Sequence, residues 1–277
     1  MNSRGWLAAL AVAAGAGLVW WAAHAYGRHV QTAGVAPEPG GDHVTLRFYR
    51  DPASVPVVAL RDLSGNTIAS KNWRGMVVIV NFWATWCPPC RAEIPALISL
   101  QQKYAGRLQI IGVSQDEGEG ASDLVKQFAA GHQMNYPIVM MTPELDRAFP
   151  DVHALPTSYV LDRESRIVQR HVGLLDAGLA EQETRALAGL PVNASIEQVD
   201  RFQPAKLENA AQATDIPGVD LKSLTPAQRM AALQKLNTDP CTCGCDNTLA
   251  KCRIEDPKCT TSLPLAQKVV QDIAARP

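Results

Sequence analysis

Cys87 and Cys90 enclose Pro88-Pro89 within FWATWCPPCRAEIP, residues 82–95. The apolar run before them reads as a strand and the residues after them as a helix, which puts Cys87 at the helix start. There the unpaired backbone N–H groups and the helix dipole stabilise a thiolate. Thiols so placed have lowered pKa values and become nucleophiles at neutral pH. Pro88 and Pro89 fit the first helical turn, where a missing N–H is no loss. Cys90 lies one turn on, close enough to bond Cys87 and release a mixed disulfide. A zinc half-site would want a second ligand pair at comparable spacing, and residues 91–240 contain no further cysteine. A static staple fits poorly beside Trp83 and Trp86. The chemistry is thiol–disulfide exchange.

The other five of the seven cysteines crowd into PCTCGCDNTLAKCRIEDPKC, residues 240–259: Cys241, Cys243, Cys245, Cys252 and Cys259. Disulfides are the leading reading, because they support segments too small for a core. Five is an odd number, so at least one thiol is free, metal-bound or paired with another chain. Alternate cysteines on an extended segment share one face, which suits a thiolate site for Cu(I) or zinc. A relay to Cys87 and Cys90 is the third alternative. No Cys-x-x-Cys-His occurs, so covalent haem has no support.

Met76–Trp83 is a nearly continuous apolar, β-branched run that suits a strand buried on both faces. Short strands are expected at Val44–Tyr49, Val57–Leu60 and Thr67–Ala69, and a further buried strand at Leu108–Val113. Ile94, Leu97, Ile98, Gln101 and Tyr104 fall at helical spacing. Ser122–Ala130 reads as a helix, Ile138–Met141 as a strand and Pro143–Phe149 as a short helix. Thr157–Leu161 and Ile167–Arg170 form an antiparallel pair, and Ala177–Ala188 a closing helix. The fold class is α/β, a mixed sheet flanked by helices with an inserted α-β unit.

The domain reading is an apolar helix at 1–27, a linker at 28–43, the α/β domain at 44–191, a linker at 192–215 and a small helical cysteine-rich module at 216–277. A helix is expected near Pro204–Ala213. Thr225-Pro226-Ala227-Gln228 fits an N-cap, an N1 proline and an N3 glutamine, starting a helix to about Leu236. Leu265–Ala274 reads as a last short helix.

Between Gly5 and Gly27 no residue carries a formal charge, and Trp20, Trp21 and Tyr26 stand near the far end. About 20 apolar residues suffice to span the hydrocarbon layer. The segment reads as an uncleaved anchor, or as a cleaved signal with Ala23-His24-Ala25 at the cleavage site. Both readings export the rest of the chain. A net charge of -1 gives no electrostatic argument for nucleic acid.

FWATWCPPCRAEIP, with VVIVN upstream and LPTSYVLD downstream, resembles the TlpA/ResA-like branch of the thioredoxin superfamily over about residues 44–190. The resemblance implies a thioredoxin-like fold, a periplasmic location with inner-membrane tethering, and reduction of client disulfides in cytochrome c maturation or metal-site assembly. An upstream membrane electron donor is implied, and no cofactor, unless zinc or copper sits at the C-terminal cysteines. By residue, it implies that Pro156 is a cis-proline facing the cysteine pair and that Leu155 offers its backbone to an extended client. Trp83, Trp86, Pro88, Pro89 and Thr157 would join Leu155 in contacting clients, and Glu93 would exchange protons with a thiol. Asn81 stands where thioredoxin has a buried aspartate, leaving that task to Glu93 or water. A disulfide-forming oxidant and a metal carrier or sensor are the alternatives. A peroxiredoxin is disfavoured, because a peroxidatic cysteine has no partner two residues on.

Overall fold

The computed structural model describes residues 44–200, 207 and 209–275. The apolar N-terminal segment and the 28–43 linker lie outside them. Among the described residues no helix is long and apolar enough to cross a membrane.

A six-stranded sheet runs in the order β2 (Ala53–Ser54), β10 (Arg166–Val172), β9 (Thr157–Leu161), β5 (Val77–Trp83), β6 (Leu108–Ser114) and β7 (Ile138–Met140). Strands β5, β6 and β7 are parallel, whereas β9 and β10 are antiparallel additions. Every residue of β5 is buried, as an uninterrupted apolar run demands in a strand covered on both faces. Helix α1 (Pro88–Lys103) follows β5 and packs on β6 and on α4 (Ala177–Leu187). Gln101 of α1 donates to the Leu108 carbonyl at 3.0 Å and accepts from the Ile110 N–H at 2.6 Å, tying the helix to the start of β6. The inserted unit is α2 (Ala121–Gly131) with β7, followed by α3 (Pro143–Ala148). A β3–β4 hairpin (Ala59–Arg61, Thr67–Ala69) forms its own two-stranded sheet, tied to β7 by the Leu63 N–H donating to the Ile138 carbonyl at 2.9 Å.

Two findings depart from the sequence reading of residues 192–215 as linker. Strand β11 (Ala194–Val199) pairs in parallel with β1 (Val44–Tyr49), Val44 opposite Ala194 and Tyr49 opposite Val199. Its four central residues are exposed, so backbone pairing and not an apolar alternation holds it. Gln212 and Ala213, expected at a helix end, form β12 and pair antiparallel with β8 (Ala154–Leu155). Of the rest of that expected helix, 204–206 and 208 lie outside the described residues, and 207 and 209–211 are turn or irregular chain and not helix.

The C-terminal part contains α5 (Pro226–Thr238), α6 (Leu249–Glu255) and α7 (Ser262–Ala274). Thr225 and Gln228 form a complete capping box on α5. Ile216, Leu221, Leu233, Leu236, Leu249, Ala266, Val269 and Ile273 build a second apolar core, which also takes in Ala154 of β8. Trp86 packs against both cores. The module therefore lies against the redox domain and is not held off by a linker.

Candidate active site

Strand β5 ends at Trp83, and four residues later Cys87 caps α1 with extended backbone. Its Sγ accepts from the Cys90 N–H at 3.3 Å, with Pro88 and Pro89 in the first turn. Cys87 and Cys90 are joined in a disulfide, the only one among the described residues. Both are 0% exposed.

The loop carrying Cys87 is anchored by a residue that the sequence did not single out. Asp116, buried just beyond β6, accepts from the Thr85 N–H at 2.9 Å and from its hydroxyl at 2.5 Å. It also accepts from Ser114 Oγ at 2.7 Å. A buried carboxylate needs such donors. The only signal available was an acid directly after an apolar strand, which many loops share.

Glu93 lies one turn beyond Cys90 on α1 and is 2% exposed. Its Oε1 accepts from Asn81 Nδ2 at 2.7 Å, and its Oε2 from the Leu175 N–H at 3.0 Å. Asn81 Nδ2 also donates to Ser158 Oγ at 3.0 Å. Desolvation pushes the Glu93 carboxyl up from 4.5 to about 7, against the opposing pull of these donors and of His171. A cavity of about 350 Å³ lined by Glu93, Leu97, Lys103, Leu175 and Glu181 adjoins this carboxyl.

The Leu155–Pro156 bond is cis. Thr157 Oγ1 donates to the Ala154 carbonyl at 2.7 Å, closing the turn around it. Leu155 and Thr157 are fully buried, so only backbone is left for a neighbouring strand. That edge is taken by β12. Pro88 is exposed and Pro89 and Trp86 are partly so, whereas Trp83 is 1% exposed. Trp83 packs on Phe128 of α2 with ring centroids 5.5 Å apart. Trp83, expected among the client-contacting residues, is thus turned inward here, as a strand covered on both faces requires even of its last ring.

The five C-terminal cysteines are free. The Sγ atoms of Cys241, Cys243, Cys252 and Cys259 all lie within 4.8 Å of one another. Cys245 Sγ is 2.9 Å from that of Cys243. The expected tail disulfides are not formed here.

A cysteine pair capping the helix after a central strand, with a cis-proline leading into the strand paired to it (Phe82 opposite Thr157), defines a thioredoxin-like dithiol protein. Residues 53–170 match the AhpC/TSA family. The chain is 34% identical over 128 residues to the thioredoxin-like protein YneN of Bacillus subtilis (strain 168), covering 46% of this chain and 75% of that relative. It is 33% identical over 119 residues to the thiol-disulfide oxidoreductase ResA of Bacillus cereus, covering 43% of this chain and 67% of that relative. The solved structure of a thioredoxin family thiol:disulfide interchange protein from Chlorobium tepidum TLS aligns with a TM-score of 0.47 and 30% identity, over 50% of this chain and 98% of that one. The chain belongs to the AhpC/TSA family, on its TlpA/ResA-like branch, and is a thiol–disulfide oxidoreductase.

Proposed function

We propose that this protein reduces disulfides of extracytoplasmic client proteins, in cytochrome c maturation or metal-site assembly. In this reading residues 1–27 tether it to the inner membrane of the periplasm, and a membrane electron donor re-reduces it. The observation that carries the site assignment is the bonded Cys87–Cys90 pair at the α1 N-terminus, with buried Glu93 one turn behind.

In the reduced form the Cys87 thiolate attacks one sulfur of the client disulfide, releasing the other as a thiol and leaving a mixed disulfide. Cys90 then loses its proton, attacks the Cys87 sulfur and frees the second client thiol. The Cys87–Cys90 bond so formed holds the two oxidising equivalents. Glu93, with its pKa near 7, takes the Cys90 proton and passes it to the departing client thiolate, and the donor later delivers two electrons and two protons to the Cys87–Cys90 bond. Leu155 offers backbone beside the cis-proline to the client strand, and Trp86, Pro88 and Pro89 frame the approach. The exchange runs on the two thiols alone, and any zinc or copper at the C-terminal cysteines stands outside it.

Equilibration against glutathione tests the direction of transfer. A reductant gives a potential nearer that of thioredoxin, about −270 mV, than that of DsbA, about −120 mV. A value at the oxidising end would make the protein a disulfide-forming oxidant instead.

A further inference from the structure

We propose that Cys241, Cys243, Cys252 and Cys259 form a closed tetrahedral thiolate site for one Zn²⁺. Three separate pieces of backbone bring the four sulfurs together. Cys241 and Cys243 lie in a tight loop closed by hydrogen bonds from the Cys241 N–H to the Asn247 carbonyl (2.8 Å) and from the Leu249 N–H to the Asp239 carbonyl (2.9 Å). Gly244, at a φ of 87°, makes the turn between Cys243 and Cys245. Cys252 comes from the first turns of α6, and Cys259 from the loop before α7.

Zinc–sulfur bonds of about 2.3 Å in a tetrahedron put neighbouring sulfurs about 3.8 Å apart. Cys243 Sγ is 3.3 Å from Cys241 Sγ and 3.9 Å from Cys252 Sγ, and all four sit inside 4.8 Å. Four ligands leave Cys245 at the rim, as two disulfides would leave one cysteine of five, so it is the convergence of four sulfurs and not the odd count that favours the ion. Zinc has no redox chemistry, so it would neither drain nor oxidise the Cys87–Cys90 dithiol. Cu(I) favours fewer thiolates than converge here. The ion would fasten the loop to α6 and to the α6–α7 turn, stiffening a module with a small core.

Metal analysis and native mass spectrometry of the full chain test the site. The expected result is one zinc per chain, four sulfur neighbours at about 2.3 Å by X-ray absorption, and loss of zinc in Cys252→Ser and Cys259→Ser. A metal-free chain with its tail cysteines in disulfides overturns the proposal, as does copper held by two or three sulfurs. Reduction of a small disulfide at Cys87–Cys90 reports separately on the oxidoreductase site.

A different observation carries a second inference: the geometry points to β12 as an internal occupant of the client's place. This rests on reading the Leu155 edge as the client platform. Gln212 faces Leu155 in antiparallel register, and the Thr214 N–H donates to the His153 carbonyl at 2.8 Å. Asn237 of α5 clips the segment, accepting from the Ala213 N–H at 2.7 Å and donating to the Ala213 carbonyl at 2.8 Å. With Trp86 packed on the C-terminal core and Cys87 sealed from solvent, an extended client reaches this edge only when 212–214 leaves it.

Hydrogen exchange on full-length Cys90→Ser, before and after coupling Cys87 to an extended cysteine peptide activated as a mixed disulfide, tests this. The amides of 212–214 should lose protection in the adduct. Retained protection in a formed adduct overturns the displacement while leaving Cys87 chemistry intact. Failure of the peptide to couple without denaturant, with a small activated disulfide still coupling, overturns it as well, because the edge then never opens.

Discussion

Asn81 and Glu93 are bonded side chain to side chain at 2.7 Å inside the protein, joining the middle of β5 to the second turn of α1. The amide can donate to the carboxylate but cannot take its proton. Glu93 is thus held in place, while burial, against the pull of this bond, raises its pKa to about 7; His171 and Tyr136 are the other titratable groups coupled to its charge.

A pH dependence of stability follows from that carboxyl. The folded state holds its proton up to about pH 7, whereas the unfolded chain releases it near 4.5. Between those values the folded state binds more protons, so stability falls as pH rises and levels off above pH 7. The full drop is about 3 kcal/mol at most. Urea unfolding of the oxidised protein at pH 4 to 9 should show it. Glu93→Gln should remove this slope, matching the parent near pH 4 and exceeding it at pH 8. A slope retained in Glu93→Gln would assign it elsewhere.

The two cysteines should separate cleanly by function. Cys87→Ser should abolish disulfide reduction, and Cys90→Ser should accumulate mixed disulfides that nothing resolves. Non-reducing gels followed by mass spectrometry of the adducts check both and name the client. Turnover surviving in Cys87→Ser would overturn the assignment.

Asp116→Ala should destabilise the oxidised protein by about 2–3 kcal/mol, because the buried Ser114 hydroxyl and the half-buried donors of Thr85 lose a charged acceptor. Its second readout is the alkylation rate of reduced Cys87, which should change as the 84–87 loop loosens. A stability loss without any change in thiol reactivity would make Asp116 a purely structural anchor.

Cutting the chain after residue 200 preserves β11 and should leave a folded domain that reduces small disulfides. It also uncovers Trp86, Ala154 and Val172, which pack on the C-terminal core, so increased self-association should accompany it. Circular dichroism, a small-disulfide assay and light scattering read the three outcomes. Lost reduction in a folded fragment would bring the tail cysteines into the electron path.

Much of the redox domain was legible because its signals are local. VVIVNFW leaves no polar face, so a central strand was the natural reading, and Thr225 to Gln228 announced a helix start by cap chemistry alone. Strand β11 escaped because Ser195, Ile196, Glu197 and Gln198 are all exposed, and a two-residue strand such as β12 is too short to carry a period. Trp83 and Trp86 show the limit at the site. The residue type is the same, but β5 turns one into the core while the loop leaves the other at the boundary between two cores. The convergence of four sulfurs from a loop, a helix and a turn is likewise tertiary, and spacing alone left disulfides and metal as rivals.

The pairing of Val44–Tyr49 with Ala194–Val199 dictates an order of assembly. The first strand finds its partner 150 positions later in the chain (Thr45 meets Ser195), so during synthesis its edge waits until almost the whole redox domain has emerged. Contacts of such long sequence separation form late and slow folding. The eleventh strand in chain order thus fastens the first. Until residue 194 has emerged, the backbone N–H and C=O groups along that edge of Val44–Tyr49 have no strand to pair with.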